Sequence, residues 1–220
     1  MAVFEKSARL RHIGHLDIQR AVQRALRRSG LPIGYSKGFN PHVLVTFASA
    51  LSTGSAGLRE IMDVTMEEDV TAEEFLSAMN RAMPRDMQLS SAVCIDNKHP
   101  ALMATLNAAV YDIHLLEEDK AEKMIAALPA FMAQEQIITP RKTKSGVKDV
   151  DARPLMYEVT GANGHLYATM ALTERESCKP DMLINALSAF AGCEPPRTMI
   201  TRTQLLGLND DGERVPLETL

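Results

Sequence analysis

The segment RLRHIGHLDIQRAVQRALRRSGLPIGYSKGFNPH, Arg9–His42, holds the residue types best able to do chemistry in this chain. Four arginines, Arg20, Arg24, Arg27 and Arg28, recur at spacings that put them within roughly 100° of one another on a helical wheel, opposite Ile18 and Val22. Such a stripe can neutralise phosphates, or it can be a solvated helix face. No acidic residue stands at i,i+4 to these arginines, so their like charges repel one another, and a polyanion would relieve that repulsion. Arg27 and Arg28 also gain from the helix dipole, which weakens the inference for those two. Arg9 and Arg11, at i,i+2, are expected on one face of a strand that extends the patch. His12, His15, Asp17 and His42 offer acid–base groups, or hydrogen bonds that simply hold a strand–helix junction. Tyr35-Ser-Lys37-Gly-Phe39-Asn40-Pro-His42 interleaves two aromatics with a cation and an amide, the combination that base stacking with phosphate contact requires. An ordinary turn pinned by a buried Tyr and Phe fits the same residues.

Residues 1–42 carry eight cations against Glu5 and Asp17, so the remaining chain is strongly acidic within a net charge of −4. A second cationic stretch, Arg141–Arg153, adds Lys142, Lys144, Lys148 and Arg153 around Ser145-Gly146. It reads as a flexible loop, either gripping a polyanion or forming a surface tip. Asp149 and Asp151 are placed to pair within it.

The elements that must position these groups alternate in type. A strand is expected from Phe4 to Ile13, and helical spacing covers His15 to Ser29, with Gly30 and Pro32 ending it. His42–Leu51 and Arg59–Met66 read as a strand pair. Thr71 and Glu74 form a capping-box signature for a second helix that stops at Pro84, and Met87–Ile95 closes the set. The second half repeats the order. It has a strand at Ala108–Leu116, a helix at Glu118–Met132 with Pro129 ending or kinking it, and short strands at Gln136–Pro140 and Leu155–Thr160. A strand at His165–Thr173, a helix at Pro180–Phe190 and a strand at Met199–Leu206 complete it. One extra strand has to be accommodated there. The expected fold is α+β, a tandem pair of ferredoxin-like βαββαβ units with antiparallel sheets, residues 1–99 and 100–220. The acidic tail after Gly207 is expected to fray.

Composition excludes several classes. Hydrophobic residues at 45% and charged residues at 24% are those of an ordinary globular protein, and no apolar run approaches a membrane span. The N-terminal residues lack the apolar core of a signal peptide, so a cytoplasmic protein is expected. Cys94, Cys178 and Cys193 are odd in number and widely separated. They suit neither a disulfide framework nor a zinc or iron–sulfur site, so no metal or cofactor is expected. The 13 methionines are read as pliable core filler.

The block from Arg9 to His42, the later GSAGLREIMDV and KSGVKDVDARPLM together resemble the radical-SAM-linked proteins of unknown function, domain of unknown function 2344. Residues matching that pattern are His15, Asp17, Arg20, Arg24, Arg28, Tyr35, Ser36, Gly38, Phe39, Asn40, Pro41, His42, Glu60, Asp63, Asp151, Arg153 and Pro154. One departure is the strand VLVTFASAL, where the family commonly carries a proline. The resemblance implies a radical SAM protein as partner, fused or encoded separately, and transfers no catalytic role. A chain without CxxxCxxC cannot itself hold the radical-generating cluster. The leading expectation is therefore a non-catalytic partner of that enzyme that binds RNA or presents a substrate. The alternatives are an RNA-processing or RNA-modifying enzyme using His15, Asp17 or His42, and a protein–protein adaptor.

Overall fold

A computed structural model describes residues 1–96, 98–143 and 146–220. The fold is mixed α+β, with largely antiparallel strands and five α-helices among the described residues. It divides into two compact units, one of residues 1–106 with 204–220 and one of residues 107–203. The sequence division puts 204–220 with the second half; these residues instead return to the first unit.

In the first unit, β1 (Ala2–Lys6) alternates so that Ala2, Phe4 and Lys6 share a face. It stops at Lys6 and not at Ile13. Residues 7–13 form successive tight turns, with Leu10 N donating to Ser7 O at 2.9 Å and Ile13 N to Leu10 O at 2.8 Å. Arg9 lies in the 3-10 turn Ala8–Leu10 and Arg11 just beyond it, so the two do not share a strand face. The chain has to reverse between β1 and the following helix, and a longer strand would leave no residues to do so.

Helix α1 (His15–Ser29) buries Ile18, Val22, Ala25 and Leu26. Strand β2 is only Val45–Phe47, shorter than expected, because Val43 bridges back to Tyr35 and residues 52–55 turn. Strand β3 (Ser55–Val64) starts earlier than expected, since Gly57 pairs with Lys6. Helix α2 (Ala72–Ala82) has the expected capping box, in which hydrogen bonds from Thr71 hold the Glu74 carboxyl below its usual range. Strand β4 (Leu89–Ala92) follows. These strands are antiparallel in the order β4-β1-β3-β2. The helix-side core includes Phe4, Val22, Leu26, Met62, Phe75, Met79 and Met87.

After the one-turn helix α3 (Leu102–Thr105), β5 (Leu106–Leu115) leads into the second unit. Helix α4 (Glu118–Met132) runs on for three residues past Pro129. The expected charged loop is instead an antiparallel ribbon of β6 (Ile138–Thr143) and β7 (Gly146–Asp151), with Lys144 and Ser145 outside the described residues. Alternating residues on either side of a glycine suit such a ribbon. Strands β8 (Met156–Ala162) and β9 (His165–Ala171), helix α5 (Pro180–Phe190) and the part of strand β10 (Thr198–Leu208) up to Thr203 complete the unit. Its strand order is β10-β5-β9-β8. Met124, Met156 and Met170 are fully buried, as core filler should be. Burial pushes the Cys178 thiol up to about 12, as expected of an inert core cysteine. No helix of the described residues is long and apolar enough to cross a membrane.

The C-terminal tail does not fray. Strand β11 (Arg214–Pro216) pairs with the end of β10, Leu217 is 1% exposed, and Glu218 accepts hydrogen bonds from Arg59 Nε at 2.8 Å and Gln204 Nε2 at 2.9 Å. Apolar anchoring of Leu217 and a charge-assisted pair outweigh the cost of ordering a polar segment. Glu218→Ala is expected to lower unfolding stability by about 2 kcal/mol in a denaturant titration; an unchanged midpoint would mean that the tail is not anchored by this pair.

Candidate nucleic-acid interface

Helix α1 buries one stripe and leaves Arg20, Arg24, Arg27 and Arg28 exposed on the other side. The four are not equivalent. Arg20 reaches Asp17 at 3.1 Å, an exposed i,i+3 pair of small energetic value. Arg28 Nη2 donates to Ala82 O at 2.8 Å and so caps the last turn of α2. Arg24 and Arg27 have no ion-pair or hydrogen-bond partner among the described residues, and they form the free cationic centre of the stripe. Arg9 and His12 are exposed, while Arg11 turns its guanidinium back onto Ala8 O at 3.1 Å.

The YSKGFNPH segment is a closed hairpin. Tyr35 bridges Val43, Ser36 N donates to His42 O at 2.9 Å, and His42 N donates to Ser36 Oγ at 3.0 Å. That hydroxyl lies 2.7 Å from His42 Nδ1. Because Ser36 Oγ accepts the His42 amide, its own proton is free to point at Nδ1. His42 is thus a clamp at the base of the hairpin. Gly38 has φ 129°, a conformation that side-chain-bearing residues rarely adopt, and it lets the chain turn at the tip. Beyond the clamp, Lys37, Asn40 and Pro41 are exposed and Phe39 is wholly so at 105%; Tyr35 is 40% exposed.

His15, Asp17 and His42 have separate neighbours. The His15 ring meets the edge of Phe47 at 5.4 Å between centroids, Asp17 faces Arg20, and His42 holds Ser36. In the second unit, Lys148 is exposed on β7 opposite Arg141. Arg153 is committed to local structure, with Nε on Met132 O at 3.0 Å and Nη1 on Met156 O at 3.1 Å. Asp151 Oδ1 accepts from Ile137 N at 2.9 Å and Arg153 N at 3.0 Å. These two hold the end of the ribbon.

A second polar feature of the first unit lies below the start of α1. Lys6, His15, Ser49 and Glu60 line a cavity of about 10 Å³ with Phe4, Ile18, Phe47 and Leu51, room for about one water. Lys6 is 2% and Glu60 4% exposed. Lys6 Nζ donates to Ser55 O at 3.0 Å and Arg11 O at 3.2 Å. Glu60 folds over Gly57, where a Cβ would stand 2.5 Å from its Oε1, so only glycine leaves the carboxylate its place. Period-2 alternation is the signal for both residues. Lys6 continues the face of Ala2 and Phe4, and Glu60 that of Met62, so both charges point inward.

The family model described as an uncharacterized protein conserved in bacteria, DUF2344, matches residues 1–180. The chain belongs to this family. No curated protein matches it. The part matching DUF2344 contains α1, the YSKGFNPH hairpin, the buried Lys6 and Glu60, and the ribbon, and it ends where α5 begins. In this DUF2344 chain, Lys6→Ala is expected to cost about 3 kcal/mol, because it takes the Nζ donor from Ser55 O and one of the two donors from Arg11 O and leaves a hole. Thermal or denaturant unfolding of the purified variant measures this, and a loss of under about 0.5 kcal/mol would contradict a structural role for the buried ammonium.

Proposed function

We propose that this DUF2344 chain is a non-catalytic partner of a radical SAM enzyme, acting in the cytoplasm, which binds RNA and presents it as substrate. The observation that carries the reading is the exposed pair Arg24 and Arg27 on α1, without acidic partners among the described residues. Each such arginine can replace a condensed counterion on a phosphate backbone, a gain that salt opposes. The closed hairpin adds a fully exposed Phe39 beside Lys37, which suits a base stacked next to its phosphate. Asp17 faces Arg20 and His42 closes the hairpin on Ser36, which favours binding over acid–base chemistry at these two residues.

Each unit is read as ferredoxin-like. In support, β4-β1-β3-β2 and β10-β5-β9-β8 follow the same fourth-first-third-second order. A helix follows the first and third strands of each, and the β6–β7 ribbon is an insertion in the second. This likeness carries no function of its own.

The test is an RNA titration at several salt concentrations, using transfer-RNA or ribosomal-RNA fragments. The double variant Arg24→Glu/Arg27→Glu is expected to bind at least about ten-fold more weakly at low salt, and its log–log salt slope is expected to fall by about 1.4. Wild-type affinity that ignores salt, or an unaltered double variant, would overturn the reading. Copurification with the radical SAM protein after nuclease treatment separates direct association from association through RNA.

A further inference from the structure

Two imidazoles and a phenol, one of them about fifty residues from the other two in sequence, form one stack on the second unit. Strand register sets His114 opposite His165 and Asp112 opposite Tyr167 on the β5–β9 pair. The rings of His114 and His165 lie 4.3 Å apart and 3° from parallel, and those of His165 and Tyr167 lie 6.0 Å apart at 11°. The alternate residues on the same two strands, Ile113, Leu166 and Ala168, are buried at 1% exposure or less. The stack therefore stands on the outward face of the sheet and the core does not need it. Tyr167 is 46% exposed.

Asp112 Oδ1 lies 2.6 Å from His165 Nδ1. A carboxylate accepts only, so His165 presents N–H there, its ring is held in one orientation, and Nε2 is left to meet a base edge. Arg197 follows at the strand end, where Leu116 N donates to its carbonyl, and its side chain is 81% exposed. Its Nε meets Glu117 at 2.6 Å, which leaves the two terminal nitrogens to face a phosphate. The guanidinium also pulls the Glu117 carboxyl down to about 2, so the pair stays charged across the working pH range.

We propose that this outward face, carrying His114, His165 and Tyr167, is a stacking platform for unpaired bases of single-stranded RNA. Parallel rings across the neighbouring antiparallel strands β5 and β9 give an incoming base a π-face to continue the stack, and every base has one to offer. Paired bases in a duplex are already stacked and cannot join it. The platform deepens the RNA reading and rests on it, but uses none of the α1 arginines.

The experiment compares a short oligoadenylate with an RNA duplex, using the full chain. Tyr167→Leu and His114→Ala are each expected to weaken oligoadenylate binding at least about five-fold, while Tyr167→Phe retains it. All three should bind duplex as wild type does, which also reports that they are folded. Oligoadenylate should shift the imidazole C–H resonances of His114 and His165 upfield. If both variants bind oligoadenylate like wild type and neither resonance moves, the platform is refuted, and the α1 reading survives if the Arg24/Arg27 variant still loses affinity. If the platform variants lose binding and the arginine variant does not, the α1 reading falls and the platform stands. Absence of any binding by the wild type refutes both.

Discussion

A buried ammonium sets the geometry of the first unit. Lys6 ends β1, and its Nζ donates both to Arg11 O in the turn before α1 and to Ser55 O at the start of β3. Arg11 O also accepts from Gly54 N at 2.7 Å, so three chain segments meet at one carbonyl. A charge this deep is tolerated only where polar groups surround it. That requirement fixes where the strand stops, where the chain turns and where α1 begins. The arginine stripe faces outward because Ile18, Val22 and Leu26 are committed inward from that starting point. Gly57 belongs to the same arrangement, since it alone leaves room for the Glu60 carboxylate over the strand.

The four arginines divide in a way that composition hides. Arg28 works within the fold as a cap on α2, and Arg20 is partly neutralised by Asp17, so the free charge concentrates on Arg24 and Arg27. The hairpin shows the same division between frame and surface. Ser36 and His42 close it, Gly38 turns it, and Phe39 is left in solvent. A rigid base under an exposed aromatic lowers the ordering cost of any stacking contact made at the tip.

Much of this was legible in the sequence where periodicity and caps agree. Helices α1, α4 and α5 have the expected limits, and the Thr71–Glu74 capping box forms. Strand limits were less legible, because Arg9 and Arg11 alternate like strand residues while the chain must already be turning. The ribbon was hidden by its charge, which reads as a loop although its residues alternate. The tail was hidden by its acidity, since Glu218 finds Arg59, a partner 159 residues away. The burial of Lys6 and Glu60 is not expressed by residue type, because charged residues on strands are usually solvated. Only their phase relative to Phe4 and Met62 betrays them. The His114–His165–Tyr167 stack depends on cross-strand register, and no local pattern expresses that.

The outward surface of α1 and the YSKGFNPH hairpin are the surfaces proposed to meet RNA. Ultraviolet cross-linking of the full chain to bound RNA, with the linked peptides mapped by mass spectrometry, tests this most directly. Adducts are expected on the hairpin at Tyr35 or Phe39, lost at high salt and lost in the Arg24→Glu/Arg27→Glu variant. Adducts confined to other segments, or a hairpin signal indifferent to both salt and those arginines, would contradict it.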